Sequence, residues 1–299
     1  MDIIIVGTGG AGNNTVNYML DQGIEGRYVA VYTTLKLHRT DPNYTEVAIG
    51  AKTTKGIGAG GNPEIGRRAA EENIQSIRDA IRGADMVFVT CGMGGGTGTG
   101  SAPVIAKAAR EMGILTVGVV TKPFRFEGTE RTRNAESGIG QFRKETDALI
   151  VIPNDKILEL VSRRVNIADA LRVSDSVLVQ AITGIADIVR RNGLVNLDFA
   201  DVRTILKDKG LAHLGIGTAS GEDRAIQAME AAIHSKLLET DVRKAKNLMV
   251  YFTGDISLGD VQQAGEYLTN LVGKNTNVIL GMRYDEEKAD TCTITLIAT

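Results

Sequence analysis

Residues 86–102 read MVFVTCGMGGGTGTGSA, and the fold turns on this stretch. Met86–Thr90 is a short apolar run, the pattern of a strand buried on both faces. Ala102–Met112 reads as a helix. Between them, Gly94-Gly95-Gly96-Thr97-Gly98-Thr99-Gly100 supplies five glycines and two threonine hydroxyls. A glycine turn between a buried strand and a helix lets backbone N–H groups fan around an anion, and the helix adds its positive end. A flexible linker is the plain alternative, but linkers rarely sit between a core strand and a helix. No G-K-[ST] occurs in the chain, so the run is not a P-loop and carries no Walker lysine.

Outward from this stretch, strands and helices alternate. Ile3–Val6, Tyr28–Tyr32, Leu115–Val120 and Ala148–Ile152 read as further strands. Asn13–Leu20, Glu64–Arg82 and Arg131–Lys144 read as helices. That alternation predicts an α/β fold with a doubly wound parallel sheet. Leu178, Ile182, Ile185 and Val189 then form one apolar stripe. They predict a long helix from about Val173 to Arg191, stopped by Asn192-Gly193. A helix at Phe199–Leu206 follows. The remainder reads as a smaller α+β domain, with helices at Asp223–Leu238 and Gly259–Leu271. Its strands are Leu248–Thr253, Asn277–Met282 and Thr291–Ala298.

Composition narrows the partners. The 299 residues are 43% hydrophobic and 23% charged, ordinary for a chain with a real core. Thirty-four basic against 36 acidic residues leave a net charge of −2, which predicts no nucleic-acid partner. Cys91 and Cys292 are too few and too far apart for a disulfide framework or a metal cluster, which fits a reducing cytoplasm. The opening MDIIIVG has no basic or long apolar region, so no signal peptide is expected. No apolar run reaches the ~20 residues of a membrane span, and no direct membrane binding is expected.

Gly7, Gly9 and Gly12 form G-x-G-x-x-G between a strand and a helix, a second phosphate-type turn. A nicotinamide enzyme would place Asp or Glu near the end of the second strand. Tyr32, Thr33 and Thr34 stand there instead, although Lys36 and Arg39 would suit a 2′-phosphate. A Rossmann-type NAD(P) oxidoreductase therefore stays open on these residues alone. Asn196, Asp198 and Asp201 lie just beyond the long helix. Asp198 as an N-cap with Asp201 in the first turn is the plain reading. The helix before them, about 18 residues at ~1.5 Å each, spans roughly 27 Å. Carboxylates at its far end cannot reach a ligand bound at its near end. Any chemistry they do is expected on a second molecule, through a head-to-tail contact that propagates as an open filament.

At this point the chain resembles the tubulin/FtsZ family. GMGGGTGTGSAPV at 92–104 is similar to the family signature. GIGAGGNPEIG at 56–66, VTKPFRFEG at 120–128, IPNDKIL at 152–158 and GLVNLDFADVR at 193–203 follow the family pattern in order. The resemblance implies a GTP-binding, GTP-hydrolysing cytoplasmic protein that forms the ring at the bacterial division site. It implies a GTP-binding domain over 1–172, a central helix over 173–192 and a C-terminal domain over 193–299. Gly10, Ala11, Gly12, Asn13 and Asn14 would hold the first phosphate turn, with Gly60 and Gly61 on the γ-phosphate side. Gly94, Gly95, Gly96, Thr97 and Gly98 would cradle the phosphates. Glu127 and Arg131 match ribose and phosphate contacts, and Asn154 and Asp175 match guanosine contacts. Read without the family, Glu127 and Arg131 are an ordinary i,i+4 pair and Asp175 a solvated helix residue. Asn196, Asp198 and Asp201 would position the attacking water in trans, with GTP or GDP as ligand and Mg²⁺ without a dedicated protein ligand. Self-association is the partner implied, with division-ring proteins beside it.

The chain also departs from the family pattern. Tyr32-Thr33-Thr34 replaces Asn-Thr-Asp, Asn13 replaces a glycine, and Leu171 stands where a phenylalanine stacks near the base. No counterpart of the family's flexible tail follows Thr299, so tail-binding partners have no expected site here. A cytoskeletal paralogue with a role outside division, and a scaffold that binds nucleotide without hydrolysis, are the other readings.

Overall fold

The computed structural model describes residues 1–34, 39–159, 166–189, 198–238, 240–273 and 275–299. They divide into two compact units, Met1–Val179 and Gln180–Thr299. The first unit begins with β1 (Ile3–Thr8), α1 (Gly9–Asp21), β2 (Arg27–Tyr32), β3 (Tyr44–Ala48), α2 (Ala51–Thr54), α3 (Pro63–Glu72) and α4 (Ile74–Ala80). It continues with β4 (Met86–Gly92), α5 (Thr97–Glu111), β5 (Leu115–Lys122), α6 (Thr129–Glu145), β6 (Ala148–Pro153) and α7 (Asn154–Leu158).

The apolar runs become strands because both faces of this sheet are covered. Every residue of β1 is buried, and so are all of β4 but Gly92 and all of β5 but Lys122. The strands run in the order β3-β2-β1-β4-β5-β6 and every adjacent pair is parallel. The chain moves outward from β1 to β2 and β3, then returns to β4 on the other side. The order reverses between β1 and β4, and in open sheets of this kind ligands bind at the carboxyl ends of those two strands. Both glycine turns lie there. Helix α1 packs on β1, β2 and β4, and α5 packs on β4, β5 and β1.

Helix α8 (Ile167–Val189) starts in the first unit and ends in the second. The second unit adds α9 (Phe199–Leu206), β7 (Gly210–Ser220), α10 (Arg224–Ile233), β8 (Asn247–Gly254), α11 (Leu258–Val272), β9 (Asn277–Tyr284) and β10 (Thr291–Ala298). Its sheet order is β7-β10-β8-β9, with β10 antiparallel to β7 and β8 and β9 parallel to β8. Met229, Leu248, Val250, Phe252, Leu268, Ile294 and Leu296 form the centre of its core. Among the described residues no helix is long and apolar enough to cross a membrane.

Four expectations need correction. The single helix expected over Glu64–Arg82 is two helices, α3 and α4, broken at Asn73. At the break Asn73 leaves helical geometry, with φ −115° and ψ 28°, and its side chain accepts a hydrogen bond from the Gly50 N–H at 2.8 Å. Helix α8 starts at Ile167 rather than Val173, because the Asn166 side-chain oxygen accepts from the Asp169 N–H at 2.8 Å. Helix α10 stops at Ile233, short of Leu238. Strands β3 and β7 were not expected at all. The glycines of β7 resemble loop punctuation, but a side chain at Gly215 or Gly217 would overlap the carbonyl oxygens of Ala232 or Ala228 on α10. They are there so that the helix can lie close on the strand.

Candidate functional site

The site starts from two helix N-termini. The first four N–H groups of a helix have no partner inside it. Side chains supply one at some helices of this protein, where Asn62 caps α3, Asp198 caps α9 and Ser257 caps α11, but make none at α4, α6, α7 or α10. Thr8 before α1 and Gly96 before α5 make no side-chain cap, and neither first turn holds an acidic residue. What sets these two starts apart is the glycine turn at each, whose bare backbone lets a negatively charged ligand approach the N–H donors.

The glycines in these turns have two separate jobs. A methyl group at Gly9 would sit 2.8 Å from the Gly98 nitrogen, and one at Gly12 would overlap the Thr90 carbonyl oxygen. One at Gly94 would come within 2.7 Å of the Arg131 carbonyl oxygen, and one at Gly96 within 2.7 Å of the Ala59 side chain. At Gly98 it would meet the Cys91 side chain at 3.0 Å. These five glycines let the two turns, the 56–61 loop and α6 close on one another. Gly10 and Gly95 are different. A side chain at Gly10 would meet nothing within 4 Å, and one at Gly95 only the Arg131 Nη2, at 3.9 Å. Packing gives no reason for glycine at either position, whereas close approach of a ligand to the backbone does. Gly60 and Gly61 also face open space, with φ of 57° and 77°.

Neighbouring loops are tied into this arrangement. The Thr33 and Thr97 hydroxyls are 2.7 Å apart, and the Thr33 carbonyl accepts from the Gly58 N–H at 3.1 Å. Thr99 Oγ1 accepts from the Gly94 N–H at 2.8 Å and holds the glycine run in shape. The Asn134 amide donates to the Gly61 carbonyl at 3.3 Å. Arg131 and Glu127 form an ion pair at 3.2 Å, while the other Glu127 oxygen accepts from the Phe124 N–H at 2.9 Å. Arg131 is exposed beside the glycine run, where its charge suits a phosphate.

Between α8 and α7, Ser174 Oγ donates to the Asn154 side-chain oxygen at 2.8 Å. Thr15 Oγ1 lies 3.3 Å from Asp175 Oδ1. Asp175 is half-buried, and burial raises its pKa to about 6 against a smaller lowering from the Thr15 hydrogen bond. It is therefore not the solvated helix residue of the plain reading. Asn13 is turned inward, 1% exposed, with its Nδ2 donating to the Val31 carbonyl at 3.1 Å, whereas Asn14 is exposed. Thr15 had no place in the sequence reading, and Thr33 entered it only as part of the altered Tyr32-Thr33-Thr34 loop, without a role. Thr15 follows Ala11 by one helical turn, which is the only local sign of its position.

Asp198 and Asp201 belong to the second unit. Asp198 accepts from the Ala200 N–H at 3.3 Å, so the capping role expected of it is real. Asp201 is exposed in the first turn of α9, without a side-chain partner among the described residues. Asn196 and Lys36 lie outside the described residues. Arg39 is engaged by Asp21, and so is not held ready for a 2′-phosphate. Among the described residues no group of three or more His, Cys, Asp and Glu side chains is placed to hold a metal ion.

Residues 2–162 match the Tubulin/FtsZ family GTPase domain, and residues 210–299 match the FtsZ family C-terminal domain. The chain belongs to the tubulin/FtsZ family. An empty FtsZ dimer from M. jannaschii is similar over 100% of this chain and 88% of that one, at 41% identity and a TM-score of 0.94. CetZ2 from Haloferax volcanii, solved as a GTPγS-bound protofilament, matches at 21% identity and a TM-score of 0.79, over 100% of this chain and 92% of that one. CetZ1 from the same organism, a GDP-bound monomer, matches at 22% identity and a TM-score of 0.83, over 100% of this chain and 94% of that one. At that identity the CetZ likeness is one of fold. The protein is a GTPase of the tubulin/FtsZ family, and the nicotinamide reading falls.

The titration of Asp175 makes a prediction for the nucleotide-free protein. Its folded pKa of about 6 lies above the ~3.9 of an unfolded aspartate. Between those values the native state keeps a proton that the unfolded state has released. Stability therefore falls as pH rises from about 4 to about 6 and stays lower above. Asp175→Asn removes this loss. It is expected to raise the melting temperature at pH 7.5 and to leave it nearly unchanged at pH 4, as thermal unfolding at both pH values will read.

Proposed function

We propose that this GTPase assembles head to tail into filaments in the cytoplasm, hydrolyses GTP where successive subunits meet, and serves cell division. The observation that carries this reading is the carboxylate of Asp201 at the start of α9, exposed and without a side-chain partner among the described residues. Helix α8 holds Asp175 near its beginning and continues to Val189, a rise of about 21 Å at 1.5 Å per residue. In this reading the carboxylates of α9, which follow α8 in the chain, serve the nucleotide at the glycine turns of a neighbouring subunit. The M. jannaschii relative is described as a dimer and the H. volcanii one as a protofilament, which supports self-association.

In this reading the N–H groups at Gly10–Gly12 and Gly94–Gly98 hold the phosphates. Arg131 and Glu127 serve the phosphate and ribose side, Asn154 and Asp175 the guanosine, and Gly60 and Gly61 close on the γ-phosphate side. Asp201 and Asp198, with Asn196, accept hydrogen bonds from water and orient it toward the γ-phosphorus of the neighbour's nucleotide. The ready-made N–H fan stabilises the charge that moves onto the phosphates as the bond breaks. Mg²⁺ fits as an ion carried by the phosphates and water, since no carboxylate cluster among the described residues is placed for it.

Sedimentation and phosphate release, followed together over a range of protein concentrations, test the reading. GTP is expected to pellet the protein where GDP does not, and turnover per molecule to rise steeply above a critical concentration. Turnover per molecule that stays constant at all concentrations, with no pellet, would refute assembly-dependent hydrolysis.

A further inference from the structure

Thr15 is fully buried on α1, one turn beyond Ala11 of the first phosphate turn. Its Oγ1 is 3.1 Å from the Ala11 carbonyl oxygen and 3.3 Å from Asp175 Oδ1. A hydroxyl has one hydrogen and two acceptor sites, so it donates to only one of these oxygens at a time. When Asp175 is protonated, its O–H donates to Thr15 and Thr15 donates to Ala11. When Asp175 is ionised, the hydroxyl hydrogen turns to Oδ1 and the Ala11 carbonyl gives it up. Both states are met without moving a heavy atom. One hydroxyl is thus shared between a carboxylate on the base side and the backbone of the phosphate turn, across 160 positions of sequence.

We propose that Thr15 is a positioning and specificity-determining residue, which donates to Oδ1 of ionised Asp175 and so leaves Oδ2 to accept from the N–H donors of guanine. The inference rests on the assignment of Asp175 to the base. Guanine presents two adjacent donors, N1–H and the 2-amino group, while adenine presents an acceptor at N1. A carboxylate held by one oxygen is aimed by the other, and only a correctly aimed acceptor separates the two bases strongly. The surroundings leave this work to Thr15. On α8, Arg172 is one turn earlier and paired with Asp169 at 3.1 Å. Ser174 is committed to Asn154 from the start of α7. Burial and the Thr15 hydroxyl are the influences on the Asp175 titration, and they oppose each other.

Equilibrium binding of GDP and ADP to the full chain, from pH 5 to pH 8, tests the inference in wild type, Thr15→Val and Thr15→Ser. Thr15→Val is expected to weaken GDP binding about tenfold at pH 7, the loss of one charge-assisted hydrogen bond. It is expected to narrow the preference for GDP over ADP and to move the acidic limb of the GDP profile to higher pH. Phosphate ionisation is common to all three proteins and cancels in the comparison. Thr15→Ser is expected to restore the preference and the profile. A role in packing alone would give the reverse pattern, with Val tolerated and Ser impaired, and would overturn the inference. So would an unchanged preference and profile in Thr15→Val. Thr15→Ala removes the hydroxyl without adding bulk and reads the same quantities should Thr15→Val not fold. Asp175→Asn separates the two claims. If it keeps the full preference for GDP, the assignment of Asp175 to guanine is wrong, and the inference falls with it.

Discussion

Asp201→Ala is expected to lower GTP turnover at least a hundredfold while filaments still form in GTP. The size follows from removing a group that positions and polarises the attacking water, an effect of about 10²–10⁴ in rate. Loss of fold is not expected to contribute. Asp201 is exposed, has no side-chain partner among the described residues, and sits in a helix where alanine is the better former. Asp198→Ala is the less clean experiment, because it also removes the cap of α9 and costs about 1 kcal/mol of stability. Filaments of Asp201→Ala should be longer-lived than those of the wild type, since GTP is retained at the subunit contacts. Phosphate release and sedimentation on the same sample measure both. Full turnover in a variant that still pellets would remove the carboxylate from the mechanism.

The second large effect is a contrast between neighbours. Gly12→Ala is expected to unfold the first unit or lower its stability by about 1–3 kcal/mol or more, because the added methyl overlaps the Thr90 carbonyl oxygen in the middle of the sheet. Gly10→Ala, two residues earlier, has nothing within 4 Å to strike. It is expected to leave the melting temperature unchanged or slightly raised, since alanine favours a helix by up to about 1 kcal/mol over glycine. Yet it is expected to lower GTP affinity by tenfold or more, because its methyl enters the space where phosphate would meet the N–H groups. Thermal unfolding of the nucleotide-free variants, with binding measured on those that fold, reads both. If Gly10→Ala binds GTP as the wild type does, the open side of this turn is not the phosphate side.

Much of the fold was legible because its signals are local. A buried parallel strand has to be a short apolar run, and a turn that feeds a helix N-terminus at close range has to be glycine-rich. Met86–Thr90 with the run at 94–100, and Ile3–Val6 with the turn at 7–12, carry those signs in adjacent residues. The break at Asn73 was not legible, since Asn73 is tied to Gly50, 23 positions away in the chain. Strand β7 was hidden because its glycines answer to α10 rather than to a turn. Strand β3 is a short edge strand with partial burial, and its apolar pattern is correspondingly weak.

The sequence by itself determined the alternating strands and helices, the two glycine turns that lead from a strand into a helix, and the family to which the chain belongs. Each depends on the order of a few neighbouring residues. Only the tertiary structure divided the glycines into those that let loops touch, such as Gly12 and Gly96, and those that face open space, Gly10 and Gly95. Only it brought Thr15 against Asp175 and Thr33 against Thr97. Whether a small residue serves a ligand or a neighbour, and which hydroxyl meets which carboxylate, depends on distances between segments far apart in the chain. Those distances are set when the core packs.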